Sequence, residues 1–277
     1  MGRTTRFRPG TLGGVRGRTS TTLTQRLRDG AVSRAPDALI VEEPLAIDLD
    51  GTLVATTMRT PGHDFELAVG FCFTDGLLAG ASVLGCRYCG PGSAIETEFN
   101  AVSVETGGQA PAPTPRLTGT TSSCGLCGSA SLAELTERLD PLPTVAPFPL
   151  AVLAVAADKA AADQELFTST GAVHAAAAFD RDGTPLVVRE DIGRHNAVDK
   201  VVGRLLLDGA LPATDLGLFV SGRASFEIVQ KAWAAGFAAV VAVSAPSALA
   251  VEAARAAGLQ LAGFVRDGDL NLYAPEG

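Results

Sequence analysis

The chain has 277 residues, 47% of them hydrophobic, and a formal net charge of −8, enough for one large or two ordinary domains around a substantial core. No apolar run reaches the roughly 18 residues of a membrane span. The N-terminus lacks the apolar segment of a secretory signal, and Arg6 stands where a myristoylation signal requires Ser or Thr, so the expected location is the cytoplasm.

Charge is uneven along the chain. Residues 1–34 carry eight arginines against one acid, Asp29; removing that +7 from −8 leaves −15 for the remainder. Without interleaved aromatics this segment reads as a solvated, disordered basic leader over residues 1–36. The acidic body argues against nucleic acid as a partner. A small α+β domain is expected over 37–105. "PLAIDL" and "TLVATTM" flank Asp50-Gly51, a clear two-residue hairpin turn. Asp64 is a plausible cap for the helix that follows Pro61-Gly62, with Cys72 as buried packing, and "AIETEFNAVSVET" supplies one or two more strands.

At Thr106 the composition turns to Gly, Pro, Thr and Ser, which predicts a mobile loop over 106–128 with Cys124 and Cys127 at its far end. "SASLAELTERL" predicts a helix with Leu132, Leu135 and Leu139 on one face. A cluster of prolines follows, Pro141 to Pro149. Beyond it, a hairpin across "DRDG" leads into alternating helices and strands. The strands are apolar throughout, which predicts a mostly parallel sheet with helices on both faces over 129–277.

Four polar loops follow strands of that sheet: Arg189–Asn196, Ser221–Glu227, Ser244–Ala248 and Arg266–Asn271. In open α/β sheets ligands bind outside the carboxyl ends of the strands, and three of these loops open helices, whose N-terminal amides favour anions. Arg194, Arg223 and Arg266 suit phosphates. Ser221, Ser244 and His195 share the same edge, with His195 readable either as a ligand contact or as a cap. His174, inside an apolar strand, reads as a satisfied buried histidine and Trp233 as core. Asp199 and Lys200 fit ion pairs on a helix face as well as they fit a cleft.

Five cysteines occur, Cys72, Cys86, Cys89, Cys124 and Cys127, an odd count that argues against a disulfide framework. Two CxxC pairs make a four-thiolate zinc site conceivable, but the 34 intervening residues exceed the usual spacing. A thioredoxin-like centre requires a strand-to-helix junction, and a Gly/Pro/Thr-rich stretch precedes Cys124 instead. A sulfur carrier needs an exposed thiolate. Gly125 and Gly128 leave these sulfurs unshielded, and the following helix favours the anion. A zinc nucleobase deaminase is excluded: no His-x-Glu exists, and Ser123 rather than Pro precedes Cys124.

The blocks "EEPLAIDLDG", "MRTPGHDFELAVGF", "SSCGLCG", "TGAVHAAAAF", "REDIGRHNAVDKVVG", "SGRASFEIVQKAWAAG" and "SAPSALAVEAARAAGLQLAGFVRDGDLNLY" resemble the formate dehydrogenase accessory sulfurtransferases (FdhD/NarQ type) from about Glu42 to Tyr273. The resemblance implies a cytidine-deaminase-like three-layer α/β/α domain without zinc or other permanent metal, beside the smaller N-terminal domain, and a homodimer. It implies that sulfur from a cysteine desulfurase is passed to the molybdenum bis(molybdopterin guanine dinucleotide) cofactor required by formate dehydrogenase. Cys124 matches the persulfide-bearing cysteine and Cys127 its partner. Phe264, Val265, Arg266, Asp267, Gly268 and Asp269 match the cofactor-contacting segment, with Asp269 where a basic residue can occur. A non-catalytic cofactor chaperone and a zinc-organised interaction module are the competing readings.

Overall fold

The computed structural model describes residues 17–88, 98–112 and 132–275. The described residues open with β1 (Thr19–Arg28) and β2 (Ala31–Ile40), an antiparallel two-stranded ribbon bonded to no other sheet among them. This corrects the expectation of disorder up to residue 36. Its turn is Asp29-Gly30, with φ of 50° and 77°, the left-handed pair a two-residue hairpin requires. Arg26 pairs with Asp37 across the strands at 2.9 Å. One face carries Leu23, Leu27 and Val32, all more than 60% exposed.

A four-stranded sheet follows, in the order β4-β3-β6-β5, from β3 (Glu43–Leu49), β4 (Thr52–Arg59), β5 (Gly85–Tyr88) and β6 (Ala101–Glu105). The β3–β4 hairpin turns at Asp50-Gly51 as expected. Helix α1 (Asp64–Thr74) lays Leu67, Ala68, Val69 and Cys72 on this sheet, and burial pushes the Cys72 thiol pKa far up. The segment after β6 is anchored at its start. The Thr106 hydroxyl and amide both donate to the Asp50 carboxylate, and the Thr106 hydroxyl accepts from the Ala110 amide at 3.0 Å.

The remaining elements are α2 (Leu132–Arg138), α3 (Leu150–Ala161), α4 (Glu165–Thr170), β7 (His174–Phe179), β8 (Pro185–Asp191), α5 (Arg194–Leu207), β9 (Gly217–Val220), α6 (Phe226–Ala235), β10 (Ala239–Ala242), α7 (Ala248–Ala257), β11 (Gln260–Arg266) and β12 (Asp269–Ala274). Six strands form one sheet in the order β12-β11-β10-β9-β7-β8. Only β9–β10 and β10–β11 pair in parallel, so the sheet is mixed rather than mostly parallel. The apolar runs carry the reason. A strand reads as continuously hydrophobic whenever both faces are covered, whatever its direction.

Both faces are covered. Ala176, Ala178, Leu218, Val220, Val240, Ala242 and Leu261 pack under α5, α6 and α7. The alternate residues Ala177, Phe179, Phe219, Ala239, Val241 and Ala262 pack against α3. This period of two assigns each side chain to one face. Trp233 is core, as expected, and its Nε1 donates to the Asp140 carbonyl at 2.8 Å.

The two sheets are joined through α1 and α5, which cross at two glycines. A Cβ on Gly203 would lie 1.8 Å from the Glu66 carbonyl oxygen, and one on Gly70 would lie 1.9 Å from that of Asp199. Around the crossing sit buried polar ties. Lys231 bonds Asp199 at 2.8 Å. Burial alone would lower the Lys231 pKa, but the Asp199 and Asp75 carboxylates more than offset it and hold the ammonium charged. Glu66 is buried, which would raise its pKa, yet hydrogen bonds from Arg189 and His63 hold it at about 2.

Candidate functional site

Strands β8, β9, β10 and β11 run in one direction, so their carboxyl ends share one edge, where the four polar loops stand. Helices α5, α6 and α7 start there, as expected, with α5 two residues earlier than read from the sequence. Backbone bonds continue past the strand ends and lace the loops together. The Ser221 amide donates to Ala175, Ser244 to Gly222, Ser247 to Ala224 and Phe264 to Ser244.

The first loop is fixed from below. Asp191, fully buried, accepts from the amides of Thr60 (3.2 Å) and Gly193 (2.8 Å) and from Asn196 Nδ2 (2.9 Å). It also pairs with the equally buried Lys200 at 2.7 Å. Lys200 donates to the Thr60 and Glu190 carbonyls at 3.0 and 3.3 Å. Burial draws its pKa below the ordinary lysine range, opposed chiefly by Asp191. Both residues are thus structural ties between the N-terminal unit and the cleft loop, and Lys200 does not stand on a solvated helix face.

A cleft of about 560 Å³ opens at this edge between the strand ends and the α3–α4 segment, within the usual range for small-molecule sites. Ser221, Val265 and Arg266 line it, together with His174, Asp158 and Gln164. The segment from Phe264 to Asp269 forms the tip between β11 and β12, turning at Asp267-Gly268 with φ of 52° and 85°. Phe264 has a left-handed φ of 55° and is 49% exposed, at an irregularity in the β11–β12 register. A large non-glycine residue in that conformation is an outlier that only a rigid surround maintains. Val265 points into the core and forms cleft wall, whereas Arg266, Asp267, Gly268 and Asp269 are exposed.

The other sequence-derived candidates lie around the cleft, not in its lining. His195 Nε2 is 2.7 Å from Glu227 Oε2 and 3.5 Å from Ser225 Oγ. It links the starts of α5 and α6, and the hydrogen bond from His195 lowers the Glu227 pKa. Arg194 is half-buried and its Nε has no partner among the described residues. Arg223 is exposed and Ser244 half-buried. Cys124, Cys127 and Cys89 lie outside the described residues. Among those described, no group of three or more His, Cys, Asp or Glu side chains could hold a metal, and no helix is long and apolar enough to cross a membrane.

Sequence reasoning missed His174, Asp158 and Gln164. His174 opens β7 with its side chain toward the cleft; the alanines after it fill the core and gave it the look of a buried residue. Asp158 and Gln164 belong to the α3–α4 segment, which the proline cluster obscured. The signal was present, since "LAVLAVAADKAA" is rich in strong helix formers.

The chain is similar to proteins called sulfur carrier protein FdhD, among them those of Streptomyces avermitilis and Streptomyces coelicolor. They are 49% and 48% identical over 261 and 265 residues, which is 91% and 90% of this chain and 92% and 91% of theirs. The crystal structure of a protein provisionally identified as a formate dehydrogenase accessory protein, from Desulfotalea psychrophila, superposes with a TM-score of 0.73 at 24% identity. The match covers 94% of this chain and 99% of that one, a likeness of fold. The model of the FdhD/NarQ family matches residues 40–277. With its fold, its strand-end cleft and this match across most of its length, the chain belongs to the FdhD/NarQ family.

Proposed function

We propose that this protein is a sulfur carrier acting on a guanine-nucleotide-bearing molybdenum cofactor. The observation that carries the reading is the convergence of Ser221, Val265 and Arg266 on one cleft at the carboxyl edge of the sheet, in a chain 49% identical to a sulfur carrier protein. Sulfur arrives from a cysteine desulfurase. The Cys124 thiolate attacks the outer sulfur of the donor's persulfide; that S–S bond breaks, the donor thiolate leaves, and Cys124 carries the persulfide. The Cys127 thiolate then attacks the inner sulfur of Cys124. The outer sulfur departs as sulfide to the acceptor, and a Cys124–Cys127 disulfide remains for a cellular dithiol to reduce.

The acceptor, molybdenum bis(molybdopterin guanine dinucleotide), is written here as substrate, destined for formate dehydrogenase. The cleft volume and polar rim support a fit for one nucleotide end. Arg266 is positioned to meet a phosphate, and exposed Phe264 offers a ring face for a base. The α/β/α body is proposed to be cytidine-deaminase-like, which is supported by its three parallel central strands with helices on both faces. The homodimer is supported by the β1–β2 ribbon. Its arginines and open Leu23, Leu27 and Val32 face complement the acidic body of a second copy, and a solution mass of one chain would contradict it. The cytoplasm is the compartment that fits these partners.

The nucleotide end is testable with guanosine diphosphate as probe. Calorimetry should show binding to the intact protein, and Arg266→Ala should weaken it about tenfold, the scale of one charge-assisted hydrogen bond. Unchanged affinity in that variant would remove the segment from the site.

A further inference from the structure

His174 lines the cleft, with Ser221 beside one ring nitrogen. The Ser221 hydroxyl accepts the Ala175 amide at 2.9 Å, so its own hydrogen is free to be donated. His174 Nδ1 lies 3.4 Å from that oxygen. A ring that accepts at Nδ1 carries its proton at Nε2 in the neutral tautomer. Nε2 meets no hydrogen-bonding partner among the described residues. Gly222 packs close by, since a Cβ there would lie 3.5 Å from the His174 ring and 3.7 Å from Arg194 Cδ. Gly222 thus has both the His174 ring and Arg194 against it, and Arg194 carries an unpartnered buried Nε.

The inference rests on the nucleotide reading of the cleft. We propose that His174 is a positioning residue for the ligand's anionic oxygens, that Ser221 sets its tautomer, and that binding brings a second proton onto the ring at Nδ1, where the Ser221 hydroxyl turns from donor to acceptor. The charged groups around it make the exchange favourable. Burial, then Arg194 of α5, then His195 of α5, lower its pKa from the ordinary value, and Asp191 of β8 opposes them. Arg266 of β11 and Asp158 of α3 line the same cleft. In the free protein the imidazole is consequently neutral near pH 7. An anion placed against Nε2 reverses the balance that Arg194 and His195 impose, and raises the ring's pKa in the complex.

The sign follows from linkage. The complex binds more protons than the free protein, so affinity is highest below the free-state pKa. It declines as pH rises toward the bound-state pKa and is flat above it. A rise of one pKa unit corresponds to about tenfold in affinity across that window.

The test is guanosine diphosphate titration by calorimetry in two buffers of different ionisation enthalpy, between about pH 5.5 and 8. The intact protein should take up a fraction of a proton on binding. His174→Gln should bind more weakly and lose the ring's share of the proton uptake, leaving only the titration of the nucleotide's own terminal phosphate, whose pKa is about 6. Ser221→Ala, which frees the tautomer, should weaken binding less and keep part of the uptake. If the intact protein does not bind the nucleotide at all, the ligand reading of the cleft falls. If it binds and His174→Gln takes up the same proton fraction, the role of His174 is overturned. Should His174→Gln fail to fold, nitrogen NMR of the intact protein decides. The chain has three histidines, assignable through His63→Gln and His195→Gln. His174 should move toward the doubly protonated form when nucleotide is added; an unmoved ring would overturn the inference.

Discussion

Asp191→Ala should destabilise the protein by about 3–5 kcal/mol, the usual cost of leaving a buried charge without its partner, a large share of the 5–15 kcal/mol that holds a typical domain folded. Asp191 and Lys200 are both fully buried and 2.7 Å apart. Without the carboxylate, the Lys200 ammonium keeps only the Thr60 and Glu190 carbonyls. The amides of Thr60 and Gly193 lose their acceptor as well. Unfolding in urea measures this directly as a lowered midpoint. The double change Asp191→Leu with Lys200→Met removes both charges and roughly keeps volume, and it should cost less than Asp191→Ala alone. A double variant as unstable as the single one would mean that the lost amide contacts, not the stranded charge, dominate. Because Asp191 also anchors the loop from Ile192 to Asn196, the single variant should bind nucleotide more weakly even where it is still folded.

The second large effect concerns the helix crossing. Gly203→Ala places a methyl group 1.8 Å from the Glu66 carbonyl oxygen and 2.9 Å from the Gly70 nitrogen. Both obstacles are backbone, so no side chain can rotate away and α1 and α5 must separate. Overpacking of this kind costs about 1–3 kcal/mol or more, although alanine in an exposed helix would instead be favoured over glycine. The two tendencies have opposite signs, so the direction of the change in melting temperature is decisive. It should fall. Gly70→Ala should do the same, and the pair should fall short of additivity, since the first methyl group already parts the helices that the second would obstruct. A rise with either change would mean that the crossing is looser than its backbone distances imply.

How far the fold was legible depended on whether the signal was local. The Asp50-Gly51 hairpin, the strand-and-helix alternation after Gly171 and the four loops at one strand edge could all be read from turn residues and periodicity. The β1–β2 ribbon carried the same Asp-Gly signal at Asp29-Gly30, but its threonines and arginines resemble a solvated leader in composition. Strand direction was not legible, because buried strands look alike whether parallel or antiparallel. Nor was the function of single polar residues in apolar runs. His174 looked like core because its neighbours are core, and Lys200 fitted a helix-face ion pair as well as a cleft, because lysines are usually exposed. Only the tertiary arrangement brings Lys200 to Asp191 and His174 to Ser221. Arg266 and Ser221 were legible as cleft residues because loops at the carboxyl ends of strands have a general chemical use, independent of the rest of the fold.

The central claim is that sulfur travels on Cys124, and mass spectrometry reads it most directly. The protein is incubated with a cysteine desulfurase and cysteine, then digested without reductant. The peptide containing Cys124 should gain the mass of one sulfur atom, and the Cys124→Ala protein should gain none. An active desulfurase that leaves this peptide unchanged, or a Cys124→Ala protein that loads sulfur as well as the original, would contradict the account.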